Sequence, residues 1–141
     1  LPTKNLFENL FKEYAMIERV VLPPYDTFDL STFVIQGDTV HIGHFGGLFD
    51  HAGNKLSTIE EQTVQAFKNL ENALTKVNLT LENMLKVTVV LRDISDFHAM
   101  HRAWKQIFQS TFPCRTTITS DFIDEDCLIQ IDGVAGIQVP E

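Results

Sequence analysis

Residues 127–139, CLIQIDGVAGIQV, are apolar at both parities of a strand, with Ile129, Ile131 and Ile137 on one side and Leu128 and Val134 on the other. Side chains alternate faces along a strand, so such a segment is stable only where both faces of its sheet are covered. Two long helices are legible upstream. The first opens at a capping-box pattern, Ser57 with Glu60 three residues on, and repeats Ile59, Ala66, Phe67, Leu70, Leu74 and Val77 at helical spacing. The second, capped by Ser95 or Asp96, carries Phe97, Met100, Trp104, Ile107 and Phe108 on one face. Two helices cover one sheet face, which leaves oligomerisation through the sheet as the economical cover for the other.

The other strands are shorter. STFVIQG and TVHIGHF, split by Gly37-Asp38, read as a hairpin; KVTVVLR reads as a buried strand between the helices; RTTITSDF leads to the acidic turn Ile123 to Asp126. At the start of the chain Leu6, Phe7, Leu10, Phe11 and Tyr14 recur at helical spacing, which predicts an N-terminal helical extension over residues 1–20. The predicted order is a helix followed by β-β-α-β-α-β-β. That order describes one α+β domain over residues 1–141, a sandwich with a mixed sheet and both long helices on one face.

Composition narrows the function. A net charge of −8, with eleven scattered Lys and Arg, argues against a surface that tracks phosphates, so nucleic acid is not an expected partner. No apolar run reaches the length that crosses a bilayer, and the polar face of the first helix is not basic, so no membrane partner is expected either. Cys114 and Cys127 follow no CxxC or zinc spacing, which predicts two reduced thiols and a cytoplasmic protein. Asn78-Leu79-Thr80 matches a glycosylation acceptor and is read as coincidence.

The segment FPCRTTITSD, residues 112–121, sets Arg115 at the start of a strand. A guanidinium keeps its charge and is costly to bury unpaired, so it calls for a carboxylate such as Asp132 or for a ligand anion. His101 shares the helical phase of Phe97 and Trp104: it is either a histidine satisfied by a backbone carbonyl or a proton carrier in a cleft. The pairs His98/His101 and His41/His44 raise the question of metal, but no carboxylate or thiol supports them at a ligand spacing. Phe45, Phe49 and Trp104 read as core. Gly46 and Gly47 are turn formers or a source of backbone N–H near a ligand. Alternation points the Cys114 side chain away from the guanidinium.

These elements together resemble the Rid (YjgF-like, reactive intermediate deaminase) family over roughly residues 33–137. The most specific parts are Phe112-Pro113-x-Arg115, the run Val87 to Phe97, and the ending CLIQIDGVAGI. The resemblance implies a chorismate-mutase-like fold, a homotrimer with a central β-barrel, and three clefts between subunits. In deaminating members those clefts hydrolyse 2-imino acids to 2-keto acids and ammonia with no metal or cofactor. It further implies that Arg115 binds the substrate carboxylate, for which a guanidinium fork is well shaped.

Under the same resemblance Gln130 stands where deaminating members carry a glutamate that positions water. An amide orients water but takes no proton near neutral pH, so base catalysis by Gln130 is excluded. His101 replaces an asparagine and is the candidate proton carrier. Gly43 or His44 occupies the place of a small hydroxyl residue, and Thr117 that of a cysteine. The backbone at Cys114 is placed to help hold the imine nitrogen. A tyrosine before the first strand is matched by Leu30 without a gap or by Tyr25 with one. Two functions follow from this set: an imine or enamine deaminase, or a non-catalytic trimer that binds a small carboxylate such as a keto acid. Hydrolysis of a different substrate lies between them.

Overall fold

The computed structural model describes residues 2–138. Val139, the end of the strand expected over 127–139, and Leu1 lie outside the described residues, as do Pro140 and Glu141. Helices α1 (Pro2–Ala15), α2 (Ile59–Thr75) and α3 (Phe97–Phe108) accompany β1 (Ile17–Val20), β2 (Phe33–Gln36), β3 (Thr39–Gly46), β4 (Met84–Leu91), β5 (Cys114–Thr119) and β6 (Ile129–Gly136). The six strands form one sheet in the order β1-β2-β3-β6-β4-β5. All pairs are antiparallel except β4 with β5. A parallel pair needs a crossover, and α3 is that crossover.

Two cross-sheet rows explain the core. Phe33, Ile42, Gly133, Val87 and Arg115 are successive partners across β2, β3, β6, β4 and β5, and Phe45, Ile131, Val89 and Thr117 form the next row. The apolar members of both rows are buried together with Phe67, Leu70 and Leu74 of α2 and Met100, Trp104 and Phe108 of α3. Each large side chain so buried contributes ~1.5–3 kcal/mol. The rings of Trp104 and Phe108 lie 4.5 Å apart, and Phe67 meets both edge-on. The opposite face carries His41, Val134, Lys86, Asp132, Thr88, Gln130, Val90 and Ile118, none of which is fully buried in the single chain. Both parities of β6 are apolar as expected, but this chain by itself covers one of them.

Three expectations are corrected. The helical extension predicted over 1–20 stops at Ala15, and residues 17–20 form the edge strand β1, a sixth strand that pairs with β2. Four residues containing Glu18 and Arg19 carry too little apolar alternation to be read locally, and it is pairing with β2 that holds them extended. The cap of α2 lies one residue later than Ser57: Thr58 Oγ1 accepts from the Glu61 N–H at 3.2 Å and its hydroxyl donates to Glu61 Oε1 at 2.9 Å. The same three-residue relation recurs there, and it makes the buried Ile59 the first helical residue. Phe49, expected in the core, is 52% exposed, because the Gly-rich loop carries it beyond the end of β3.

Gly47 brings α2 onto the sheet. A Cβ at this position would stand 2.1 Å from the Gln62 carbonyl oxygen and 2.6 Å from the Ala66 nitrogen, so α2 crosses over bare backbone. Beyond the two roles expected of Gly47, turn former or source of backbone N–H near a ligand, its bare backbone lets the backbone of α2 approach. One turn along, Gln62 is fully buried: its Nε2 donates to the carbonyls of Leu56 and Asp126, both at 3.0 Å, and its Oε1 accepts from the Leu128 N–H at 2.8 Å. This amide ties the segment entering β6 to α2.

Candidate functional site

Arg115 is the second residue of β5, an edge strand, and its partner on β4 is the buried Val87. Parity therefore turns the guanidinium toward α3 at the margin of the core. There it lies 4.7 Å from the centre of the Trp104 ring and 5.5 Å from that of Phe97. Its Nη1 stands 3.1 Å from His101 Nδ1. A guanidinium can only donate, so Nδ1 is the acceptor and the proton of neutral His101 sits on Nε2. The His101 ring stacks on Phe97 at 5.8 Å and 6°. Helical spacing puts Phe97, His101 and Trp104 on one face of α3, and that face forms the wall on which Arg115 rests.

No carboxylate among the described residues is paired with Arg115. Asp132, the structural partner considered from sequence, is exposed and stands opposite Thr88 on the other face of the sheet. Ring faces supply part of the compensation, about 0.5–2 kcal/mol for a cation over an aromatic. Burial shifts the Arg115 pKa downward, although a guanidinium remains charged at any physiological pH. Burial also lowers the His101 pKa, with further contributions from Arg115, Lys105 and His98. His101, Trp104, Lys105, Phe112, Pro113 and Arg115 line an open cleft of about 440 Å³. A charged fork, an imidazole and an ammonium thus face solvent over apolar walls, an arrangement suited to a small carboxylate.

The other residues singled out from sequence divide between two places. Thr117 lies on the same face as Arg115, two residues along and opposite Val89. Cys114 points to the opposite face, as alternation predicts, where its thiol contacts the Leu85 carbonyl at 3.2 Å. Gln130 pairs with Val90 and Gly46, so its side chain also lies on the face opposite Arg115. Gly43 and His44 belong to β3, which β6 and β4 separate from β5. They sit where the β3–β6 register shifts between Ile42 and Phe45. Within one chain, then, Arg115 and His101 come together, Thr117 shares only the strand face of Arg115, and Gln130, Gly43 and His44 do not join them.

Sequence reasoning left Tyr25 unresolved, and the structure places it. Its hydroxyl donates to the His44 carbonyl at 2.5 Å, and its ring lies against Phe45 at 5.5 Å. It is nearly buried, which pushes its phenol pKa well above the ordinary value. Leu30, the ungapped alternative, is 45% exposed. Tyr25 and His44 line a second cleft, of about 530 Å³, together with Pro24, Phe28 and Lys76. The signal in the sequence was Pro23-Pro24-Tyr25: a rigid turn that ends in an aromatic residue able to reach back to a strand. Among the described residues no group of three or more His, Cys, Asp or Glu side chains is placed to hold a metal ion.

Comparison with known proteins shows the family. The family model described as Endoribonuclease L-PSP matches residues 26–137. The chain is 32% identical over 111 residues to the human protein named 2-iminobutanoate/2-iminopropanoate deaminase, covering 78% of this chain and 80% of the relative. It is 29% identical over 106 residues to the protein of the same name from Capra hircus, covering 74% and 77%. A solved structure from Streptococcus pyogenes, described as a member of the yjgF family, superposes with a TM-score of 0.74 at 25% identity over 87% of this chain and 98% of its own. These matches, with the six-stranded sheet under two helices, place the chain in the Endoribonuclease L-PSP family, also called YjgF or Rid.

Proposed function

We propose that the protein hydrolyses small 2-imino acids to 2-keto acids and ammonia, in the cytoplasm, at a cleft formed between the subunits of a homotrimer. The observation that carries this reading is Arg115, a partly buried guanidinium held by two rings and a histidine with no carboxylate partner among the described residues. The names of the relatives point to the same substrate class. An imine carbon becomes electrophilic once its nitrogen is protonated, so the protein has to hold the carboxylate, place a water and manage protons. Arg115 holds the carboxylate. Thr117 and the free edge of β5 at Cys114 supply further polar contacts.

Assembly supplies the rest of the site. Tyr25, Gly43 and His44 cannot reach Arg115 in one chain, but a neighbouring copy brings its own set to this edge of the sheet. Gln130 then orients the water, and His101 carries the proton that an amide cannot accept. The half-exposed Val90, Val134 and Ile118 of the open face support packing of sheets around a common axis. Sedimentation equilibrium should give three times the 16.0 kDa chain mass, and a monomer mass would remove the cleft.

The activity is tested by generating 2-iminobutanoate in situ with an amino-acid oxidase and trapping it with semicarbazide. Active protein lowers the trapping rate at micromolar concentration. Gln130→Glu should raise that activity about tenfold, because a carboxylate positions water and also accepts its proton. The chain would instead be a carboxylate-binding trimer if the trapping rate does not change with either protein while 2-oxobutanoate still binds. Gln130 is the feature that favours this second reading.

A further inference from the structure

Neutral His101 serves Arg115 as a hydrogen-bond acceptor, and this contact has a cost for any ligand. His101 engages only Nη1 of the five-donor guanidinium, so a carboxylate that takes the Nη1–Nη2 end of the fork competes with Nδ1 there. Once Arg115 turns to the anion, the imidazole has lost its donor and has a negative charge beside it. The ionisable groups that face His101 are Arg115 from β5 and His98 and Lys105 from its own helix, and among the described residues no carboxylate contributes. The environment of the ring is therefore cationic when the cleft is empty and is partly neutralised when an anion enters.

We propose that His101 is the proton-linked half of an anion clamp: the neutral ring holds Arg115 in the empty cleft, and a monocarboxylate binds together with one proton taken up by that ring. The proposal rests on the reading of Arg115 as a carboxylate anchor and adds the protonation state in which the ligand is held. In the empty site desolvation and the neighbouring cations keep His101 neutral at physiological pH. In the occupied site both ring nitrogens donate, one of them toward the carboxylate, and the imidazolium is favoured. Because the protonated form is favoured only with ligand present, affinity rises as pH falls through the pKa of the occupied site. It levels off below the pKa of the empty one. A bound imino acid would thus meet an acidic proton on the same wall as its anchor.

Calorimetric titration of the whole protein with 2-oxobutanoate tests this. Binding should be about tenfold tighter near pH 6 than near pH 8. Heats measured at one pH in buffers of different ionisation enthalpy should show uptake approaching one proton per site. His101→Asn, which keeps a hydrogen-bonding side chain without a titrating one, should bind with a flat pH profile, and His98→Asn should keep the wild-type slope. Wild-type binding that is flat with pH, or a slope that survives in His101→Asn, overturns the proton clamp and leaves the carboxylate anchor standing. No binding by wild type at any pH overturns both. An NMR titration of the His101 ring should show its pKa rising when 2-oxobutanoate is added, and a pKa that stays or falls also overturns the clamp.

Discussion

Arg115→Ala will weaken 2-oxobutanoate binding by about a hundredfold and reduce imine hydrolysis at least as much, with little change in the stability of the fold. The two halves of this expectation come from the same geometry. The guanidinium is held by ring faces and by one neutral imidazole rather than by a carboxylate, so removing it leaves no buried counter-charge behind. A structural arginine would behave in the opposite way: its loss would unfold the protein. Arg115→Lys keeps the charge but neither the planar fork nor the stacking on Trp104, and should recover only a small part of the binding. Calorimetry with 2-oxobutanoate and urea unfolding on the same variants check both halves. Binding by Arg115→Ala equal to wild type would remove the anchor role.

Gln62→Leu will destabilise the protein by about 4 kcal/mol, measured as a shift in the midpoint of urea unfolding at constant slope. Leucine fits the space, but it leaves the Leu56 and Asp126 carbonyls and the Leu128 N–H without the partner that each has at 2.8–3.0 Å. Each such orphan in a dry interior costs about 1–3 kcal/mol. The consequence reaches the site, because Asp126 and Leu128 lead directly into β6 and so into Gln130. A loss below about 1 kcal/mol would mean that water enters this junction and replaces the amide.

Gln62 also shows what one-dimensional reading misses. Its neighbours Ile59, Ala66 and Phe67 mark the buried stripe of α2, and a glutamine on that stripe looks like an interruption. Its three partners come from Leu56, only six residues back, and from Asp126 and Leu128, more than sixty residues ahead. Periodicity carries no information about such a pairing. The same holds for β1: Ile17 to Val20 is a strand because β2 offers it an edge, and no pattern within those four residues says so. Arg115 was legible for the converse reason. A lone permanent charge at the start of a β-branched run needs compensation wherever it goes, so its type and place in the strand sufficed to mark it.

For the candidate site the division is similar. The neighbourhood of Arg115 with His101 and Trp104 follows from two local rules, helical phase in α3 and strand parity in β5, joined by the short connection between them. The distance of Gly43 and His44 from that group follows from sheet order, which places β6 and β4 between β3 and β5, and that of Gln130 from parity, which turns it to the opposite face. Tyr25 was ambiguous because the length of a turn decides which residue faces the strand, and turns tolerate insertions.

The sequence by itself determined the α+β class, the two covering helices, the apolar character of both faces of β6 and the need of Arg115 for compensation, because each is written in local periodicity or in the cost of a buried charge. Only the tertiary structure decided that His101, rather than Asp132, is the neighbour of the guanidinium, that Gln130 faces away from it, and that Tyr25 docks on His44. Those outcomes depend on strand order and register. Both are set by how the whole chain packs, and no single segment encodes them.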